Sequence, residues 1–170
     1  QGTNARCIKT AKPLELPSTA TGDSFTTYRG GDLPNTPEIR GFFTAGKVFR
    51  TRQLVASSAA RSTAKQYMRA ATSEGKEPTL WVFQFEIVGG LAAALHVNYI
   101  SRRLTDITVD EEKEYLLQAY SVLEVVSVEI RDQPTNENPH LIKIKVHRDN
   151  KTQAPRSHQP WPDLPLAPWG

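Results

Sequence analysis

Glu112-Lys113-Glu114, followed at once by Tyr115-Leu116-Leu117, sets two carboxylates two positions apart, and an extended backbone would turn both to the same side. Like charges held that close repel and shift each other's pKa, so such a pair in a cleft serves as a base or as a stabiliser of positive charge. The same run admits a second reading. Thr108-x-x-Glu111 has the form of a capping box, and Leu116, Tyr120 and Leu123 fall near helical spacing, which would open an amphipathic helix with acidic residues near its N-terminus. Elsewhere, Arg29 stands before Gly30-Gly31, and Ser57-Ser58 precede an alanine-rich run. Taken singly, Arg29 reads as a solvated charge at a strand end and the two serines as helix caps. His96, His140, His147 and His158 have no mutual spacing suited to a metal or a triad. Cys7 is alone, which excludes an internal disulfide and, without neighbouring histidines, a structural zinc site. No metal cofactor is expected.

The elements that must position these residues follow from periodicity. Ser24 to Arg29 is rich in strand formers and is expected to end in the turn chemistry of Gly30-Gly31-Asp32-Leu33-Pro34. From Gly41 to Val55 apolar residues come in short bursts. Ser58 to Ser73 reads as a helix with Ala60, Ala64, Tyr67, Met68 and Ala71 on one side, capped by Ser58 or Ser62 and stopped by Gly75 and Pro78. Leu80 to Val88 alternates, Trp81, Phe83, Phe85 and Ile87 against Gln84 and Glu86, and predicts a long strand broken by Gly89-Gly90. Leu91 to Ile100 fits a short helix or a strand. Val122 to Ile130 and Leu141 to His147 both read as strands, and the turn-rich residues 132–139 between them predict an antiparallel pair.

A chain of 170 residues with 38% hydrophobic content can bury a real core. Residues 1–150 are expected to form one catalytic-sized domain, with 1–23 as an irregular lead-in and 151–170 as a Pro-rich, loosely ordered tail carrying Trp161 and Trp169. The formal charge of +3 is modest and its cations scattered, so nucleic acid or anionic membrane is permitted as a partner without being indicated. No run approaches the about 18 apolar residues of a membrane span, so a soluble protein without membrane insertion is expected. Opening on Gln1 instead of Met suggests a processed product or an excised domain.

Three segments in order carry a resemblance. Tyr28-Arg29-Gly30, then Val55-Ala56-Ser57-Ser58 leading into a helix, then Glu112-Lys113-Glu114-Tyr115-Leu116-Leu117 are similar to the aromatic-Arg, Ser-Thr-Ser and Glu-x-Glu segments of the Arg-Ser-Glu class of mono-ADP-ribosyltransferases, which includes many bacterial toxins. The likeness covers about Ser24 to Val128, and it departs from the pattern where Ala56 stands in place of the first motif serine. The serine role then falls to Ser57 or Ser58.

The resemblance implies an α+β fold of two small antiparallel sheets packed across one another around an NAD cleft, with flanking helices. It implies NAD as substrate, Glu114 as the catalytic carboxylate at the ribose, and Glu112 as the group that orients or deprotonates the acceptor. Arg29 would clamp the NAD phosphates or the adjoining ribose, with Tyr28, Gly30 and Ser57 or Ser58 completing the pocket. The implied activity is transfer of ADP-ribose to arginine on a target protein by a toxin or effector, secreted or delivered and acting in target-cell cytoplasm, with an inhibitory or immunity protein as a further partner. Two alternatives stand beside it: ADP-ribosylation of nucleic acid on the same fold, and a non-catalytic α+β interaction module with Thr108 to Leu123 helical and Trp161 and Trp169 as anchors.

Overall fold

A computed structural model describes residues 24–71, 75–88, 91–92, 97–99, 114–150 and 164–167. The lead-in, the Gly89-Gly90 break, Glu112, Trp161 and Trp169 lie outside the described residues.

Strand β1 (Ser24–Pro34) runs on through the two glycines that were expected to end it. It pairs antiparallel with β4 (Lys76–Val88) along its full length, from Ser24↔Glu86 to Pro34↔Lys76. The glycines serve a different purpose there, close packing. A Cβ on Gly30 would lie 1.7 Å from the Ala64 carbonyl oxygen, and one on Gly31 would lie 3.1 Å from Cζ3 of Trp81. Helix α2 (Arg61–Ala71) therefore rests its backbone directly on the strand at Gly30. The helix starts later than the expected Ser58 because Ser58 belongs to β3 (Val55–Ser58) and only its hydroxyl reaches forward, accepting a hydrogen bond from the Ala60 N–H at 2.9 Å. Pro78, expected beyond the helix as a stop, sits inside β4 opposite Asp32. It is tolerated because pairing of β4 with β9 (His140–Asn150) starts only at Thr79, leaving the missing N–H without a strand to face.

A short helix α1 (Pro37–Phe42) was not foreseen, although its start carries every signal. Thr36 caps it through the Ile39 N–H, Pro37 opens it and Glu38 lies in its first turn. The helical reading of residues 108–123 is overturned where the structure describes it. Glu114–Leu117 is strand β7, Tyr120 turns the chain at φ 65°, and β8 (Ser121–Glu129) follows. Leu116, Tyr120 and Leu123 thus match helical spacing by coincidence across a strand, a turn and a strand. Of the ambiguous 91–100 stretch, β5 (Leu91–Ala92) and β6 (Val97–Tyr99) are both extended.

The architecture is α+β and dominated by sheet. With β2 (Val48–Arg50), the strand order is β2-β8-β9-β4-β1-β3-β7-β6, β5 pairing β4 off this path. The expected β8–β9 pair is antiparallel, whereas β4 and β9 are parallel. One Cα pair, Tyr28↔Ser58, joins the β2-β8-β9-β4-β1 half to the β3-β7-β6 half. The halves also meet through the core: Phe25 of β1 stacks on Phe85 of β4 at 4.4 Å and packs against Tyr115 of β7 at 5.8 Å. Phe49, Phe83, Leu117, Leu123, Ile142 and Ile144 complete this core, each almost wholly withdrawn from water and each worth about 1.5–3 kcal/mol of burial. Residues 165–167 of the tail lie against β2, where Leu166 bridges Arg50 in parallel and Ala167 is buried in this core.

Candidate functional site

Registers fix which side chains share a face. Tyr28 of β1 lies opposite Ser58 of β3, and Ser58 lies opposite Glu114 of β7. Directly opposed residues on neighbouring strands point the same way, so these three form a row across the join between the halves. Their alternate neighbours Phe25, Val55, Tyr115 and Leu117 turn to the core. Helix α2 covers the side that carries the row, held close by Gly30 and packed through Ala64 and Met68 against Tyr28 and Leu80. Between helix and row opens a cavity of about 250 Å³ lined by Tyr28, Arg29, Gly30, Ser57, Ser58 and Glu114, with Ala56 on the strand side and Thr63, Ala64 and Tyr67 on the helix.

Each polar group there has a defined holder. The Ser57 hydroxyl accepts from Thr27 Oγ1 at 2.8 Å and donates to the Tyr115 carbonyl at 3.3 Å, tying β1, β3 and β7 together beneath the row. Beyond Tyr28↔Ser58 no further β1–β3 pair forms, and Arg29 Nη1 reaches across to donate to the Ala56 carbonyl at 2.9 Å. Ala56, where the motif would have serine, thus contributes its backbone. Part of Arg29 stays exposed, while the protein crowded round the guanidinium strips it of water and lowers its pKa. It remains a cation at neutral pH.

Arg29 also lines a second cavity of about 290 Å³, with Gly31, Asp32, Leu33, Ile39, Gln53, Val55, Trp81 and Phe83 among its walls. Arg29 is the described lining residue that the two cavities share. Neither alone reaches the roughly 300–1,000 Å³ of small-ligand sites.

All the residues singled out in sequence, Glu112 apart, line the first cavity. Glu112 lies outside the described residues, so its distance from Glu114 is not defined. Sequence reasoning gave no part in the site to Thr63 or to Tyr67, which it placed on one side of the helix with Ala64 and Met68. Tyr67 is 52% exposed. The histidines stand apart from this cavity where they are described. Buried His140 accepts the Arg131 N–H on Nδ1 at 3.0 Å, so its proton sits on Nε2, 2.8 Å from Glu77 Oε2. Among the described residues no three His, Cys, Asp or Glu side chains gather as metal ligands.

The sequence matches no protein-family model and no curated protein. Solved structures do share its fold. The ADP-ribosyltransferase Vis of Vibrio splendidus, in complex with an inhibitor, superposes with a TM-score of 0.50 at 14% identity, over 72% of this chain and 48% of that one. Exoenzyme S of Pseudomonas aeruginosa, bound to carba-NAD, gives a TM-score of 0.49 at 10% identity over 84% and 54% of the two chains. The catalytic domain of VahC from Aeromonas hydrophila gives 0.44 at 18% over 78% and 63%. This chain spans about half the length of the first two. At such identities the likeness shows the fold alone.

Proposed function

We propose that this chain, built on the fold of the ADP-ribosyltransferase toxins, transfers one ADP-ribose from NAD to arginine on a target protein. The observation that carries the reading is the convergence on one cavity of a row ending in Glu114 and of a cation, Arg29, that it shares with a second cavity. NAD has a pyrophosphate between two nucleoside ends, and a fork of guanidinium donors that lines both cavities suits that anionic middle.

Breaking the bond between nicotinamide and ribose builds positive charge on the sugar as the electron pair leaves with nicotinamide. A carboxylate fixed beside it offsets that charge, the part proposed for Glu114. Ser58, in register with Glu114, would brace the carboxylate or the ribose, and Ser57 would hold the three strands in place beneath. Tyr28 forms the near wall, and Gly30 admits the helix that forms the far one. Glu112 is assigned to pair with the acceptor guanidinium and take its proton as nitrogen bonds to the anomeric carbon. An extended backbone from Glu112 to Glu114 would set both carboxylates on one side. As a toxin or effector of this kind, the protein would be secreted or delivered into target-cell cytoplasm, and an inhibitory partner would protect the producing cell.

Incubation with labelled NAD and candidate acceptors tests this. The wild type should release nicotinamide and label protein on arginine, and Glu114→Gln should lower both rates by about 100-fold or more with the fold intact. Label lost to nuclease would move the acceptor to nucleic acid. A folded wild type that neither binds NAD in calorimetry nor hydrolyses it would leave only the interaction module.

A further inference from the structure

Tyr67 is the one large planar group on the helical wall, since the other α2 residues at the first cavity are Thr63 and Ala64. Three residues after Ala64, it stands one turn along the same face, over the row that ends in Glu114. It is also 52% exposed, whereas Ser57, Ser58, Thr63 and Ala64 are buried. Of the described lining residues only Arg29 shares this exposure, and Arg29 also lines the second cavity. Tyr67 therefore marks the mouth through which a solvent-borne group reaches Glu114.

We propose that Tyr67 is the acceptor platform of the site, its ring stacking the planar guanidinium of the incoming arginine before transfer. The inference rests on the reading above and names a residue that confers its specificity. A guanidinium stacks on aromatic faces and is only weakly hydrated, so a half-exposed tyrosine can hold it without a carboxylate. No acidic residue occurs in α2, and Glu114 is the one carboxylate among the described residues that line the cavity. Lys65, the cation two residues before Tyr67, is engaged at 2.5 Å with Glu137 of the β8–β9 loop. In the step itself the glycosidic C–N pair departs with nicotinamide, a guanidino nitrogen forms the new C–N bond, and its proton leaves to a carboxylate. Tyr67 takes no part in those bond changes and acts on binding.

Two rates measured on the same purified chain separate this from the parent reading: NAD hydrolysis, with water as acceptor, and transfer to agmatine, a free guanidinium. Tyr67→Ala should raise the agmatine KM by about 3- to 30-fold. The NAD KM should rise by at least threefold less than the agmatine KM, and Tyr67→Phe should restore the agmatine KM. An unchanged agmatine KM overturns the proposal while leaving the enzyme reading intact, as does an NAD KM that rises in step with it, since Tyr67 would then belong to the dinucleotide's own wall. A wild type that hydrolyses no NAD removes both. Because Tyr67 is exposed, a melting curve matching wild type is expected for each variant.

Discussion

Gly30→Ala is the perturbation that most directly probes how the cleft is built. The added Cβ would lie 1.7 Å from the Ala64 carbonyl oxygen, half the 3.4 Å at which ordinary contact begins, and 2.9 Å from Met68 Cγ. The methionine can swing aside, being flexible, but a helix carbonyl cannot. Helix α2 must lift from β1 or the strand must bow, and either movement exceeds 1 Å. Overpacking of this kind costs about 1–3 kcal/mol, and clash with backbone puts Gly30→Ala at or beyond the top of that range. At about 2–4 °C per kcal/mol for a chain of this size, the melting temperature should fall by roughly 5–15 °C. Activity should fall further than stability explains. A misplacement of about 1 Å can cost on the order of 100-fold, so NAD hydrolysis assayed well below the new midpoint should drop by that order. Gly41→Ala is the control with opposite sign. Nothing lies within 4 Å of its new Cβ and Gly41 sits in α1, so a gain of about 0.5–1 kcal/mol is expected. A Gly30→Ala variant melting within 2 °C of wild type, by calorimetry of both glycine variants, would refute the packing argument.

Arg29→Lys should keep the fold, since Arg29 is exposed, yet raise the NAD KM by about 10- to 100-fold, because an ammonium offers no fork of donors and loses the bond to the Ala56 carbonyl. Initial rates of NAD hydrolysis against NAD concentration measure it directly. Acid stability should depend on Glu77. Burial raises its pKa, but the bonds from His140 and Arg40 outweigh this and leave it below the ordinary value. A carboxyl whose folded pKa is depressed contributes stability that is present above its unfolded pKa and lost as pH falls through the folded one. Glu77→Gln should therefore flatten the decline in melting temperature below about pH 4.5 while lowering stability at pH 7. A variant with an unchanged acid slope would show that the network carries no such linkage.

How much of this was legible beforehand varied with the length of the signal. Strands β4 and β9 were legible because Trp81, Phe83 and Phe85 in one and Ile142, Ile144 and Val146 in the other alternate against a buried face, and β8 because its run is rich in β-branched residues. Strand β7 could not be separated from a helix start, because four residues fit both periods. Gly30-Gly31 misled because a turn and a close approach both call for the smallest side chain, and only the position of α2 distinguishes them. Helix α1 is six residues long, too short for periodicity, although Thr36-Pro37-Glu38 marks its start. For the site, the order of Arg29, Ser57, Ser58 and Glu114 along the chain singled out residues that the fold brings round one cavity. Tyr67 was put on one side with Ala64 but not in the site, because helical spacing says which residues share a face, never what that face meets.

The docked segment 165–167 has a consequence for handling the protein. Strand β2 ends the sheet, and its Arg50 would offer an open N–H and C=O to any passing chain. Here the N–H donates to the Pro165 carbonyl at 2.9 Å and the C=O accepts from Ala167 at 2.7 Å. The short segment acts as a stopper on a sticky border. A version cut back to residue 163 would bare that border along with the pocket that Ala167 fills, and self-association through β2 would follow.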